Sequence, residues 1–256
     1  MTPDRIALTA LPGVPLVNPG DDLPALILAA VERAGEHLQD GDILIVAQKI
    51  VSKAEDRYAA LSDVTPSARA LELAEQTEKD PRLVELVLSE TRRVVRHRPG
   101  LLIVEHRLGF VLANAGIDAS NVGAGADGET VLLLPADPDA SCHALRQALR
   151  ESSNASIAVV MNDSVGRAWR KGTVGMALGA SGLQSLLDLR GDEDLFGRPL
   201  RVSMVGMADQ IAAAASLVQG EGNEGMPVAL LRGFTPASSD ESAAELIREP
   251  DEDLFR

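Results

Sequence analysis

Two short polar segments of this chain each follow an apolar run and carry side chains that can bind metal ions and phosphates. Residues 114–121 contain Asp118, and residues 162–170 contain Asp163 and Ser164. Carboxylate and hydroxyl oxygens at the carboxyl end of a buried strand are ligands that Mg²⁺ and Mn²⁺ prefer. Cations that can neutralise phosphate oxygens follow Asp163 closely, namely Arg167, Arg170 and Lys171. The two segments therefore predict an enzyme that uses a nucleotide.

The standard nucleotide-binding motifs are absent from the sequence. It has neither G-x-x-x-x-G-K-[ST] nor G-x-G-x-x-G after its first strand. Residues 220–225 are the nearest substitute, because the N–H groups of Gly220 and Gly222 can point at an anion and Glu221 can reach a metal. A flexible turn between a helix and a strand is the competing interpretation. The four scattered histidines lack the H-x-x-x-H spacing of a zinc helix, and none suggests a serine-hydrolase triad.

Composition predicts one large domain or two small ones with an aliphatic core. The 256 residues are 45% apolar but only 2% aromatic. The apolar runs are too short for a membrane span, and no basic N-terminal segment leads into an apolar one. The single cysteine, Cys142, excludes an intrachain disulfide. We therefore expect a soluble cytoplasmic protein.

The net charge of −14 argues against binding to nucleic acid or to an anionic membrane, since both need a basic face. It is compatible with an anionic small molecule, because a divalent metal and a few cations can reverse the potential inside one cleft. Part of the negative charge lies in residues 235–256, which we interpret as an acidic tail after a domain at 1–234. A solvated appendage or a short amphipathic helix is expected there, with an interaction tail as the alternative.

The order of apolar patterns predicts an α+β fold with mixed sheets and helices, because clean βαβ repetition is missing. Asp21 and Asp22 precede a helical pattern that ends near residues 35–38. A second helical pattern covers residues 67–88, and helices are predicted at 139–150 and 208–218. Residues 172–187 are rich in glycine and apolar, which is typical of close backbone packing. Strands are expected at 43–47, 101–104, 109–113, 130–134, 157–161, 200–205 and 227–231.

Six segments, taken in order, resemble one known family. They are Leu11-Pro12-Gly13-Val14 and residues 46–55, 105–109, 114–121, 163–170 and 220–227. These segments are similar to those of the coenzyme F-420-0:γ-glutamyl ligases, and the resemblance extends from about Leu11 to Gly233. It implies GTP-dependent addition of L-glutamate to a deazaflavin coenzyme precursor by a homodimer of an α+β fold particular to the family. It also implies Mg²⁺ or Mn²⁺, with K⁺ as a further candidate ion.

The resemblance also implies roles for individual residues. Asp118, Asp163 and Ser164 would be metal ligands, and Glu221 a further one. Asp118, Asp163 and Lys53 would form the catalytic group, with Lys53 on the phosphates. The residues expected to contact GTP are Leu11, Pro12, Gly13, Val14, Gln48, Lys53, Asn121, Gly220 and Gly222. The sequence departs from the family at residues 162–164, where many members have Thr-Asp-Thr, and at residues 172–175, which leaves the acceptor open.

Several of these residues have an alternative interpretation that involves no chemistry. Lys53 could be an exposed lysine at a strand end, Asp118 could cap a turn with Asn121, and Asp163 could cap a helix. Arg167 and Arg170 could bind substrate phosphate or form structural pairs, and Trp169 is expected to pack rather than to stack. At the level of function, two alternatives stay open. One is a regulator that binds GTP or metal without catalysis, and the other is a ligase with a different carboxylate acceptor.

Overall fold

The computed structural model of the protein describes residues 5–122, 129–234, 236–239 and 241–254. The helices within these ranges are α1 (Leu23–Arg33), α2 (Gln48–Ala54), α3 (Ala68–Thr77), α4 (Pro81–Ser89), α5 (Pro138–Ser153) and α6 (Met207–Gln219). The strands are β1 (Ala7–Ala10), β2 (Ile43–Ala47), β3 (Tyr58–Ala60), β4 (Thr91–Arg98), β5 (Leu101–His106), β6 (Val111–Ala113), β7 (Thr130–Leu132), β8 (Ala158–Gly166), β9 (Thr173–Ser181), β10 (Leu186–Asp188), β11 (Met204–Gly206) and β12 (Val228–Arg232).

A five-stranded sheet of order β1-β12-β2-β8-β9 forms the centre of the fold. Only β2 and β8 run parallel, and the other neighbours are antiparallel. Alternate residues of the apolar run in β2 point to opposite sides, so both faces of the sheet are apolar. Helices cover both of these faces. Leu44 and Val46 join the core under α1 and α5, whereas Ile43 and Ile45 join the core under α6. This mixed sheet agrees with the predicted α+β class.

A smaller sheet of order β4-β5-β6 packs against α3 and α4. The predicted helix at 67–88 is in fact two helices. Glu78 adopts left-handed backbone angles after α3, and the Asp80 side chain caps the new helix at Arg82 N, with Pro81 at its first position. The prediction of one helix was therefore wrong, because the periodicity continues across the break.

Two other expectations differ from the structure, and one helix was not expected. The strand predicted at 200–205 is reduced to β11, and the glycine-rich run from residue 172 forms strand β9 for most of its length. Glycine allows β9 to lie close to α6, since a Cβ on Gly175 would lie 2.4 Å from the Ala212 carbonyl oxygen. Residues 48–54 form a helix that the sequence pattern did not predict.

The C-terminal tail is partly docked on the core rather than a solvated appendage. Ala243 is fully buried, and its N–H donates to Asp139 Oδ1. Leu246 and Ile247 pack against the core, while Leu254 is 91% exposed. Phe255, for which docking was also considered, lies outside the described residues. Among the helices described, none has the length and apolar character needed to cross a bilayer.

Candidate active site

Helix α2 begins directly where β2 ends and places four polar side chains beside the segment around Asp118. Gln48 and Ser52 lie one turn apart and are almost fully buried. Ser52 Oγ donates to Gln48 Oε1 at 2.9 Å, which fixes the amide so that Nε2 donates to Asp118 Oδ2 at 2.8 Å. The predicted GTP contact Gln48 is therefore, in this structure, a residue that orients the carboxylate of Asp118.

The lysines of α2 lie over residues 118–121. Lys49 Nζ is 3.3 Å from Asp118 Oδ2 and donates to the Ser120 carbonyl, and Lys53 Nζ donates to the Asn121 carbonyl at 2.7 Å. Lys53 is only 8% exposed, so its interpretation as an exposed strand-end lysine is wrong. Burial first, and then the neighbouring charge of Lys49, lowers the pKa of Lys53. Lys49 was not among the predicted site residues.

Strand β8 carries the second acid, Asp163, beyond the end of its neighbour β2. Its pairing with β2 ends at Asn162, opposite Ala47, while its pairing with β9 continues to Gly166. Asp163 and Ser164 therefore lie inside an extended strand, and no helix follows for Asp163 to cap. Its Oδ1 accepts the N–H of Ser164 at 2.8 Å.

The electrostatics of the two aspartates indicate a site prepared for a cation. Burial, the negative charge of Asp118 and that of Glu221 raise the pKa of Asp163 to about 7. Burial also raises the pKa of Asp118, although Lys49 and Gln48 oppose that change. Carboxylates that repel one another in a partly buried position are stabilised when a divalent cation lies between them.

Asp118 lies close enough to Asp163 to affect it electrostatically, but the described acidic side chains do not form a complete set of metal ligands. In the part of the chain that the structure describes, no three His, Cys, Asp or Glu side chains are close enough to hold a metal. The oxygen donors of Asp118, Asp163, Ser164 and Glu221 nevertheless fit Mg²⁺ or Mn²⁺. The negative charge of Asp118, which raises the pKa of Asp163, supports this fit.

The loop at 220–225 closes another side of the site. Thr173 Oγ1, on β9, lies 3.5 Å from Glu221 Oε2. The N–H of Gly222, which was expected to face an anion, donates to the carboxylate of Glu224 at 2.8 Å. Gly220 has φ +76°, and a Cβ there would lie 2.4 Å from Glu224 Cδ. The anion that this loop binds in the structure is thus the carboxylate of Glu224.

A buried amide pair links the strand of Asp163 to the loop of Glu221. Asn162 Nδ2 donates to Gln219 Oε1 at 2.8 Å, and Gln219 Nε2 donates to the Pro227 carbonyl at 3.1 Å. Both side chains are less than one tenth exposed. Asn162 and Gln219 each directly precede a segment with a candidate metal ligand, so the pair holds the two segments together. The only sequence signal for this linking role was Asn162, a polar residue directly after the apolar run of residues 157–161.

The segment Leu11-Pro12-Gly13-Val14 lies at the same edge of the sheet. The N–H of Leu11 donates to the Val228 carbonyl, and β12 places Val228 opposite Val46. The Leu11 side chain is fully buried in the core, whereas Gly13 is exposed and Pro12 and Val14 are partly exposed. Of the four predicted nucleotide contacts, Leu11 therefore offers no accessible side chain.

The turn between β8 and β9 is an exposed cationic hairpin tip. The Trp169 side chain is 87% exposed, so the expectation that it packs in the core was wrong. Arg167 Nη1 donates to the Gly172 and Thr173 carbonyls, and Arg170 and Lys171 are exposed. The structure thus brings together Asp118, Asp163 and the α2 lysines, with Glu221 nearby, and most of the Trp169 side chain is exposed.

Comparison with known proteins assigns the chain to a family. The F420-0:gamma-glutamyl ligase family matches residues 13–233. The chain is 43% identical to the coenzyme F420:L-glutamate ligase of Methanothermobacter thermautotrophicus over 253 residues, covering 98% of this chain and 99% of that protein. It is 44% identical to that of Methanopyrus kandleri over 244 residues, covering 94% and 93%. It is 40% identical to that of Archaeoglobus fulgidus over 252 residues, covering 98% and 97%. The chain therefore belongs to the F420-0:gamma-glutamyl ligase family.

Proposed function

We propose that this protein is a cytoplasmic, GTP-dependent ligase that joins L-glutamate through an amide bond to a deazaflavin coenzyme F420 precursor. The observation that carries the proposal is the convergence of Asp118 and Asp163 with Lys49 and Lys53 at one edge of the central sheet. Such a group can hold a triphosphate and a divalent metal together. The choice of coenzyme F420 and L-glutamate as substrates follows the names of the relatives, which are coenzyme F420:L-glutamate ligases.

Amide formation needs an activated carboxyl group, because a carboxylate is a poor electrophile. An acceptor carboxylate oxygen attacks the γ-phosphorus of GTP, so that the bond to the β–γ bridging oxygen breaks and GDP leaves. The glutamate amine then attacks the acyl phosphate carbon, loses a proton and expels inorganic phosphate. Both steps move negative charge onto phosphate oxygens, which fixed positive charges stabilise.

The residues of the site suit these steps. Lys53 is desolvated, so its charge acts more strongly on a phosphate than that of a solvated lysine would. Gln48 and Lys49 fix the position of Asp118, so the carboxylate is already oriented. A divalent cation held by Asp118, Asp163, Ser164 and Glu221 would supply charge neutralisation for the phosphates. K⁺ remains a candidate additional ion.

A homodimer is part of the proposal. The arm formed by β10, β11 and the residues between them exposes apolar side chains that a monomer would leave in water. They are Leu195 at 99%, Phe196 at 79%, Val202 at 84% and Met204 at 49% exposure. Light scattering after gel filtration tests this point: Phe196→Ser should weaken a dimer, and Leu71→Ser, which changes an exposed leucine on α3, serves as the control.

One experiment separates the proposed ligase from its two alternatives. The protein is incubated with GTP, Mn²⁺, L-glutamate and the deazaflavin precursor, and the products are read by mass and by GDP release. Mass increases of one or more glutamyl units with equal GDP release support the ligase. GTP binding without turnover supports a regulator, and turnover only with another carboxylic acid supports a different acceptor. Asp118→Asn, which keeps the side-chain shape, should remove turnover in the same assay.

A further inference from the structure

The hairpin tip at residues 167–171 combines an exposed indole with three cations. Trp169 is 87% exposed and has φ +68°, a backbone conformation that is uncommon for residues other than glycine. Arg167, Arg170 and Lys171 surround it on the same short turn and are all exposed. An exposed aromatic ring flanked by positive charges is suited to a planar, anionic ligand, because the ring stacks and the cations bind the anionic groups.

The charge of the tip is unusual for this protein. The chain has 38 acidic and 24 basic residues, and many of its other arginines have carboxylate partners, such as Arg190 with Asp188 at 2.6 Å. Within the described ranges, none of the ion pairs involves Arg167, Arg170 or Lys171. Arg170 and Lys171 therefore remain available to an anion from solution, while Arg167 adds its positive charge and uses Nη1 to bind backbone carbonyls.

The tip is connected directly to the candidate site. It joins β8, which carries Asp163 and Ser164, to β9, whose Thr173 approaches Glu221. A ligand on the tip would thus have one end near the acids and the other end in solvent. This arrangement suits a substrate larger than the site, of which only one group reacts.

We propose that the tip is the acceptor subsite, where Trp169 stacks on the planar ring of the deazaflavin precursor and Arg170 and Lys171 bind its anionic groups. The proposal rests on the proposed function and adds a location for one substrate. Glutamate has no ring, and the triphosphate of GTP belongs beside the α2 lysines. The acceptor is the remaining substrate that combines a planar ring with separate anionic groups.

Trp169 is the only tryptophan of the chain, so its fluorescence reports on the tip alone. We expect the deazaflavin precursor to quench this fluorescence saturably in the absence of GTP, glutamate and metal. N-acetyltryptophanamide at equal absorbance corrects for light absorbed by the ligand. Addition of GTP or glutamate alone should leave the fluorescence unchanged. Because this measurement needs no turnover, it can succeed even if the proposed reaction is wrong.

Kinetics of variants provide the second test. Trp169→Ala should raise the KM for the acceptor about 5- to 150-fold, from the usual value of ring stacking, and Trp169→Phe should restore most of the loss. Arg170→Gln should raise the same KM about threefold to tenfold, with little effect on the KM for GTP. Arg98→Gln, which changes an exposed arginine of β4, is the matched control and should change neither value.

Three results would overturn the proposal. Quenching by GTP rather than by the acceptor would assign the tip to the nucleotide. A fluorescence change on dilution of the protein alone would place the tip between two copies of the chain. An unchanged acceptor KM in Trp169→Ala, in a protein that turns over the acceptor normally, would retain the ligase function and reject the subsite.

Discussion

Asp163 should destabilise the metal-free protein at neutral and alkaline pH, and Asp163→Asn should relieve this cost. Its pKa rises from an ordinary 3.8 to about 7 in the folded chain. A carboxyl group with a raised pKa contributes stability while it is protonated. That contribution is complete below the pKa of the unfolded chain and is lost as the pH rises through about 7. Asparagine keeps the shape of the protonated side chain and cannot ionise.

The size of the effect follows from the change in proton affinity. A tenfold change is worth about 1.4 kcal/mol, so the full shift corresponds to about 4 kcal/mol. Asp163 is partly exposed, and solvent screening reduces the expected gain to about 2 kcal/mol. For a chain of this length, that gain raises the Tm by about 4–8 °C. The variant should therefore be more stable than the parent protein and inactive as a ligase.

Thermal unfolding in EDTA at several pH values measures this difference. We expect the Tm gain of Asp163→Asn to be largest at about pH 8 and to disappear below about pH 3, where the side chain is neutral in the folded and the unfolded states of both proteins. Asp192→Asn changes an exposed acid and should stay within about 0.5 kcal/mol of the parent. Saturating Mn²⁺ should stabilise the parent more than Asp163→Asn, because a bound ligand stabilises the folded state. A Tm gain that is absent, or independent of pH, would refute the raised pKa of Asp163, which burial and the charge of Asp118 cause.

Further predictions concern the rest of the site and the tail. Asp118→Ala should abolish ligation, with circular dichroism like that of the parent; near-normal turnover at saturating metal would contradict the assignment. Lys53→Ala should raise the KM for GTP more than that for glutamate, whereas equal increases would indicate a structural defect. Asn162→Ala should leave Gln219 Oε1 without its buried donor and cost about 1–3 kcal/mol of stability, measured by urea unfolding; a cost near zero would contradict the role of the amide pair. Truncation after Phe234 should lower the Tm, because it removes the docked residues of the tail, while glutamylation by the folded protein stays nearly unchanged; loss of activity in a folded protein would place the tail in the site.

Local patterns of the sequence were sufficient to predict much of the framework. The apolar run at 43–47 and the one at 157–161 predicted β2 and the buried part of β8, since a strand covered on both faces needs apolar residues throughout. The capping aspartate at the start of α1 was also visible, because its side chain binds an N–H group only three residues away. Family resemblance then predicted that Asp118 and Asp163 are ligands of one metal site.

Tertiary structure decided which polar groups face each other and which face water. Gln48 and Asp118 are 70 residues apart in the chain, and only the packing of α2 against the loop before β7 joins them. Burial, which no local pattern specifies for a lysine or an aspartate, changes the pKa of Lys53 and of Asp163. The exposure of Trp169 is likewise a property of the tertiary structure, because a hydrophobic residue becomes part of a core only where other elements of the fold surround it.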